Sequence, residues 1–310
     1  MFDKILFATT ASPICKDAAD VAFDLAKKYN SELTVFHVFG LPTHGFSKYA
    51  VDLKTGRKEV HDDEWVEQVT EEMKTTFADK LAEAENCVVE AVVGAPHREI
   101  LRAARTRDID LIIMGSHTRQ EDVGATRFRT VVGNTMQKVA KAARCPVLIV
   151  SRPCQTCWWY FSNIVFGTDF SKAAQSAFKF ALKTAKQIGC KLYLFHACDI
   201  GAADPGKILT QADIEVKVKE ARKKMEELYL PEMEGFDNYE IEVWEGTPYV
   251  EILKYARDKQ ADLVVMAHHA REIDPEKAVL GSTVEQVVLR SACPVASVNR
   301  PDKLAATTTI

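Results

Sequence analysis

Val92-Val93-Gly94-Ala95-Pro96-His97-Arg98-Glu99-Ile100-Leu101 returns later in the chain as Val243-Trp244-Glu245-Gly246-Thr247-Pro248-Tyr249-Val250-Glu251-Ile252-Leu253, with the Gly-x-Pro and Ile-Leu pairs each displaced by 152 positions. A repeat at this distance decides the architecture, because a doubled segment marks a doubled domain before any local propensity is weighed. The same displacement carries Asp110-Leu111-Ile112-Ile113-Met114 onto Asp262-Leu263-Val264-Val265-Met266. Toward the end of each half, Cys145-Pro146-Val147 with Arg152-Pro153 matches Cys293-Pro294-Val295 with Arg300-Pro301, displaced by 148. Toward the start, Ile5-Leu6-Phe7-Ala8-Thr9-Thr10-Ala11-Ser12 matches Ile164-Val165-Phe166-Gly167-Thr168-Asp169-Phe170-Ser171, displaced by 159. The changing offset means that loops differ while elements persist.

Working outward, each half reads as five short apolar strands alternating with amphipathic helices. That is the pattern of an α/β domain with a mainly parallel, Rossmann-like sheet covered by helices on both faces. Strands are expected near Lys4–Thr9, Leu33–Val38, Val88–Val93, Leu111–Gly115 and Val147–Ser151, then Asn163–Thr168, Lys191–Ala197, Tyr239–Glu245, Leu263–Ala267 and Val295–Asn299. First-half helices are expected near Pro13–Tyr29, Asp63–Ala84, Pro96–Arg107 and Gly133–Ala143. Ser12-Pro13, Ala95-Pro96 and Thr247-Pro248 each put proline at a first helical position, where its missing N–H costs nothing. The expected domains are 1–153 and 161–303, with a linker at 154–160 and a tail at 304–310.

Composition agrees with this division. A chain of 310 residues has the length of two ordinary domains, and 47% hydrophobic with 27% charged residues is globular usage. Apolar runs such as Leu111 to Met114 fall far short of the ~20 residues that cross a bilayer, so no membrane span is expected. A net charge of −4 argues against general binding to nucleic acid or acidic membranes. Most of the eight cysteines stand singly in regular elements, as small apolar residues do in a reducing compartment. With no secretory pattern at the N-terminus, a cytoplasmic location is expected.

In open parallel sheets ligands bind beyond the carboxyl ends of the strands, where strand order reverses. The relevant loop of the first half is Met114-Gly115-Ser116-His117-Thr118-Arg119, followed by Gly133-Asn134-Thr135. The second half has Met266-Ala267-His268-His269-Ala270-Arg271, followed by Gly281-Ser282-Thr283. Small residues running into a helix N-terminus can cradle phosphate with backbone N–H groups.

With the Val-x-Gly-x-Pro segment, the Met-Gly-Ser-His turn and the Cys-Pro-Val final strand, nearly all of both halves resembles the universal stress protein family. The repeat makes the chain similar to a tandem, two-domain member. The resemblance implies two five-stranded domains of adenine nucleotide α-hydrolase-like fold. The family's ATP-binding branch carries Gly-x2-Gly-x9-Gly-[Ser/Thr] after strand four, an Asp ending strand one, and a contact from the residue after the His that ends strand two. Carried over, these positions are Val38, Met114, Gly115, Gly133 and Asn134 in the first half. In the second half they are Asp169, Ala197, Met266, Ala267, Ala270, Gly281, Ser282 and Thr283.

Both sets depart from the motif. Thr118 replaces a glycine, Asn134 the Ser/Thr and Thr10 the Asp; in the second half Ala267 and Ala270 replace glycines. A Cβ penalises positive φ and holds a backbone away from phosphate. The second half is the better candidate, with Asp169 toward an adenosine and Ser282 toward phosphates. The first offers instead the cations Arg119, Arg127 and Arg129, which can hold phosphate or carboxylate bidentately or simply be solvated.

The expected ligand is an adenine nucleotide, ATP or AMP, with no metal. The resemblance also implies that the final strands, Pro146–Ser151 and Pro294–Asn299, pair antiparallel into an intramolecular pseudo-dimer, and two such chains could form a homodimer. The expected function is a non-catalytic, ligand-sensing regulatory module of the stress response. Its rivals are a weak ATP-hydrolysing enzyme, with Asp169 as its one obvious acid, and a ligand-free interaction scaffold.

Other signals carry less. Gly201-Ala202-Ala203-Asp204-Pro205-Gly206-Lys207-Ile208 approaches a P-loop, but Ile208 lacks the magnesium-binding hydroxyl and Pro205 removes a backbone donor. It reads as a turn. Cys154-Gln155-Thr156-Cys157 lacks a local second pair to complete a zinc site, leaving a reduced linker or a dithiol redox sensor. His37 and His196 end equivalent strands, and their repetition favours a structural role.

Overall fold

The computed structural model describes residues 2–10, 15–40, 49–51, 58–60, 63–116, 134–151, 162–200, 210–267 and 282–298. In the first half these form β1 (Lys4–Ala8), α1 (Lys16–Tyr29), β2 (Glu32–Gly40), β3 (Tyr49–Val51), β4 (Lys58–Val60), α2 (Asp63–Thr76), α3 (Ala78–Ala82), β5 (Cys87–Gly94), α4 (Pro96–Thr106), β6 (Leu111–Gly115), α5 (Asn134–Ala142) and β7 (Val147–Val150). The second half forms β8 (Asn163–Gly167), α6 (Lys172–Ile188), β9 (Lys191–Cys198), α7 (Gln211–Tyr229), β10 (Tyr239–Glu245), α8 (Pro248–Asp258), β11 (Leu263–Met266), α9 (Ser282–Arg290) and β12 (Val295–Ser297).

Ten strands make one sheet in the order β10-β9-β8-β11-β12-β7-β6-β1-β2-β5. Within this sheet the pairings inside each half are all parallel, and the strand order counted by half is 3-2-1-4-5. Only the central seam is antiparallel: β7 meets β12 with Leu148 opposite Ala296 and Ile149 opposite Val295. The expected intramolecular pairing of the final strands is therefore present.

Strand alternation divides the core in two. Ile5, Phe7, Leu148 and Ala296 face the side covered by α1, α2, α6 and α7, while Leu6, Ala8, Ile149 and Val295 face α4, α5, α8 and α9. Both apolar layers cross the seam, since each draws buried side chains from both halves. Six cysteines fall among the described residues, all as free thiols; Cys15, Cys145, Cys190 and Cys293 are buried. No described helix is long and apolar enough to cross a membrane.

Some boundaries differ from expectation for physical reasons. The helix expected at Asp63–Ala84 is broken at Phe77, whose ring turns into the core about 6.1 Å from those of Phe7 and Phe23. The β3–β4 hairpin was not anticipated, and the equivalent connection of the second half, 201–209, lies outside the described residues. Pro96 and Pro248 do start α4 and α8, whereas Ser12 and Pro13 lie outside the described residues. So do the P-loop-like segment at 201–208 and the Cys154–Cys157 pair.

Candidate functional site

Strand β1 sits between β2 and β6, so the chain leaves β1 toward one side and β6 toward the other, opening a crevice at their carboxyl ends. A cavity of about 170 Å³ occupies this position in the first half. Its apolar wall comes from Ala8, Phe36, Val38, Ile100, Met114 and Met136, and its polar rim from Thr9, Thr10, Ser116 and Thr135. Register explains the convergence: Ala8 lies opposite Met114 on β6 and Phe36 on β2. Pro96 starts α4, and Ile100, one turn later, reaches the same space. Cys15 closes the side, its Sγ 3.4 Å from Thr10 Oγ1.

Of the residues expected from sequence, the cavity gathers Val38, Met114 and Gly115. Asn134 stands exposed at the start of α5, directly before the lining residue Thr135. Gly133 and the cations Arg119, Arg127 and Arg129 lie outside the described residues. Cys15, Phe36, Pro96, Ile100 and Met136 were not anticipated. A usable signal existed for two of them, because Pro96 and Ile100 recur as Pro248 and Ile252. The volume lies below the ~300–1,000 Å³ of whole small-molecule pockets, so it suits one ring-sized group with the remainder of a ligand outside.

In the second half, Gly167 pairs with Met266 and with Phe195, which brings the ends of β8, β9 and β11 together. Ala197, Met266 and Ala267 lie at these strand ends, and Ser282 and Thr283 open α9. Ala270 and Gly281 lie outside the described residues. Asp169 is exposed, and its Oδ1 accepts the Ser171 N–H at 2.9 Å. Ser171 in turn caps α6 by accepting the Ala174 N–H. Between them Phe170 takes the left-handed φ of 62°, with its ring 4.3 Å from that of His196.

The loop after β8 is thus built by internal bonds. Thr168 Oγ1 accepts the Phe170 N–H at 3.0 Å and shares a hydrogen bond with Tyr229 OH at 2.6 Å. The His196 Nδ1–H donates to the Thr168 carbonyl at 2.8 Å, and His37 does the same to Thr9 at 2.7 Å. Both histidines therefore act as struts for the loop after the first strand of their half. Burial holds His196 below the ordinary histidine value, against the Thr168 carbonyl and Asp169, and pushes the Tyr229 hydroxyl up to about 12. Both are neutral at physiological pH. Among the described residues, no group of three His, Cys, Asp or Glu side chains is placed to hold a metal ion.

Two fused copies of an open parallel α/β domain, each reversing strand order beside its first strand, define a doubled protein of Rossmann-like fold. The family model described as the universal stress protein family matches residues 1–151 and again 161–299. The chain belongs to the universal stress protein family. A universal stress protein of Methanocaldococcus jannaschii is 32% identical over 160 residues, covering 45% of this chain and 96% of its own. One from Bacillus subtilis is 29% identical over 166 residues, covering 48% and 99%. Among solved structures, a universal stress protein from Archaeoglobus fulgidus superposes with a TM-score of 0.65 at 23% identity, over 97% of both chains. A functionally unknown protein from Pseudomonas aeruginosa gives 0.62 at 18% identity, over 98% of this chain and 95% of its own. These last two show likeness of fold along the whole chain.

Proposed function

We propose that this chain is a cytoplasmic regulatory module that senses an adenine nucleotide. The first-half cavity carries the reading: it lies where an open α/β sheet takes ligands, and its apolar wall with a hydroxyl rim suits a heterocyclic base. The base would pack between Val38, Ile100 and Met114, with Gly115 at the mouth. The phosphates would then face Asn134 and the N–H groups that open α5. Asp169, with Ala197, Met266, Ala267, Ala270, Gly281, Ser282 and Thr283, forms the corresponding second site. Occupancy acts by favouring one arrangement of the loops after β1 and β6, and so one state of the surface they present.

Calorimetry on the full chain with AMP, ADP and ATP tests this. Binding heat is expected, and Gly115→Leu, whose side chain would start toward Cys15 at the side of the cavity, is expected to weaken the first-half component. Asp169→Ala reports on the second site alone. Absence of both heat and thermal shift with all three nucleotides would overturn the proposal. Sustained phosphate release from ATP that Asp169→Ala abolishes would favour the hydrolase reading instead.

A further inference from the structure

Away from the strand ends, a groove of about 750 Å³ runs along α4 and meets the turn between α5 and β7. Leu101 and Ala142, both partly exposed, give it apolar surface. Arg98, Arg102 and Arg105 stand along one face of α4 at helical spacings of four and three, spanning roughly 10 Å. Arg144 faces them from the turn, and all four guanidinium-bearing residues are exposed. Arg102 is paired with Glu99. Among the described residues, Arg105 and Arg144 enter no ion pair. A chain of net charge −4 here concentrates four arginines on one concave surface.

The second half supplies an internal control. Its equivalent positions are Val250, Lys254, Arg257 and Ala292, and Tyr249 replaces His97 with Arg290 over its ring at 5.5 Å. The same helix-and-turn framework therefore folds without this set of arginines. Their presence in one copy calls for something other than stability.

We propose that the groove between α4 and the α5–β7 turn docks an acidic segment of another protein. Carboxylate side chains would take the arginine forks bidentately, and an apolar side chain would rest on Leu101 and Ala142. The apolar part of the lining favours a protein segment over a sugar-phosphate backbone, which has no apolar side chain to set against Leu101 and Ala142. The proposal stands independently of nucleotide binding at the strand ends.

The test uses the full chain and a short fluorescent peptide of alternating glutamate and leucine, read by anisotropy. The unaltered chain is expected to bind it, more weakly at high salt and not when glutamine replaces glutamate. Arg105→Glu with Arg144→Glu is expected to weaken binding by about tenfold or more, with the melting temperature unchanged. Arg257→Glu, at the equivalent place in the other half, is expected to leave it unchanged. No binding by the unaltered chain, or equal weakening by Arg257→Glu, would overturn the proposal. So would a single-stranded oligonucleotide of matching charge that displaces the peptide and binds more tightly.

Discussion

Asp110 and Asp262 perform the same task in the two halves. Asp110 Oδ2 accepts the N–H groups of Asp3 and Lys4 at 3.0 Å each, and Asp262 Oδ2 accepts those of Ser162 and Asn163 at 2.8 and 3.1 Å. Each carboxylate thereby satisfies backbone donors where its half's first strand begins. Asp262→Ala should cost about 1 kcal/mol in urea unfolding, because two part-buried donors lose their acceptor. Asp262→Asn should cost less, since an amide oxygen can still accept. Burial raises the Asp262 carboxyl above its ordinary value, against the two backbone donors. Its contribution to stability is therefore fullest below the ordinary aspartate range and falls as pH rises through the raised value. Asp262→Asn should remove that slope.

His196 has the opposite sign. Held neutral in the fold, it contributes stability above about pH 6.5 that is lost as pH falls below the unfolded value. Denaturation curves between neutral and mildly acidic pH should show this loss, and His196→Gln, whose amide N–H can still reach Thr168, should reduce it. At this scale the sequence pointed to residues that stand on strand ends beside the cavity, as Val38, Met114 and Gly115 do. Cys15, Ile100 and Met136 reach the cavity from helices, and how closely a helix packs on the sheet is a property of distant partners.

The Gly-x-Pro motif that reveals the repeat also joins elements. A side chain begun at Gly94 would lie 2.6 Å from Glu99 Cγ, and one at Gly246 would lie 2.9 Å from Glu251 Cγ. In both halves the strand end must be bare because the first-turn glutamate of the following helix folds against it. The two positions differ in backbone, for Gly246 has a φ of +136° while Gly94 is outside the left-handed region. Gly246→Ala should therefore cost about 1–3 kcal/mol, and Gly94→Ala less, since a flexible glutamate can move aside. Thermal unfolding of the paired variants checks the order. Elements with repeat partners were legible from sequence to within two or three residues, apart from the helix expected at Asp63–Ala84, which breaks at Phe77. The hairpin at Tyr49–Val51 and Lys58–Val60 was not, because strands of three residues are too short to show a period.

Across the whole molecule the antiparallel seam makes one body of two domains. Leu148 and Ala296 oppose each other there, 3% and 0% exposed, inside an apolar layer that both halves share. A single unfolding transition is expected for the unaltered chain. Ala296→Glu would bury a charge with no counterion and should cost about 3 kcal/mol or more, separating the calorimetric trace into two transitions. Retention of one sharp transition would count against a seam that couples the halves. The seam was expected from family likeness, not from local pattern, because strand direction across a domain boundary leaves no mark in either strand.

Cys145 and Cys293, buried at 5% and 7% exposure just before the two seam strands, make the protein its own reporter of motion. Burial pushes the Cys293 thiol up to about 11, so its reactive thiolate is scarce as well as enclosed. Alkylation at either position must wait for its surroundings to open, and mass spectrometry can read the two rates side by side in one sample. If the halves breathe together, the two opening free energies will agree; if one half has been left looser, its cysteine will be modified first.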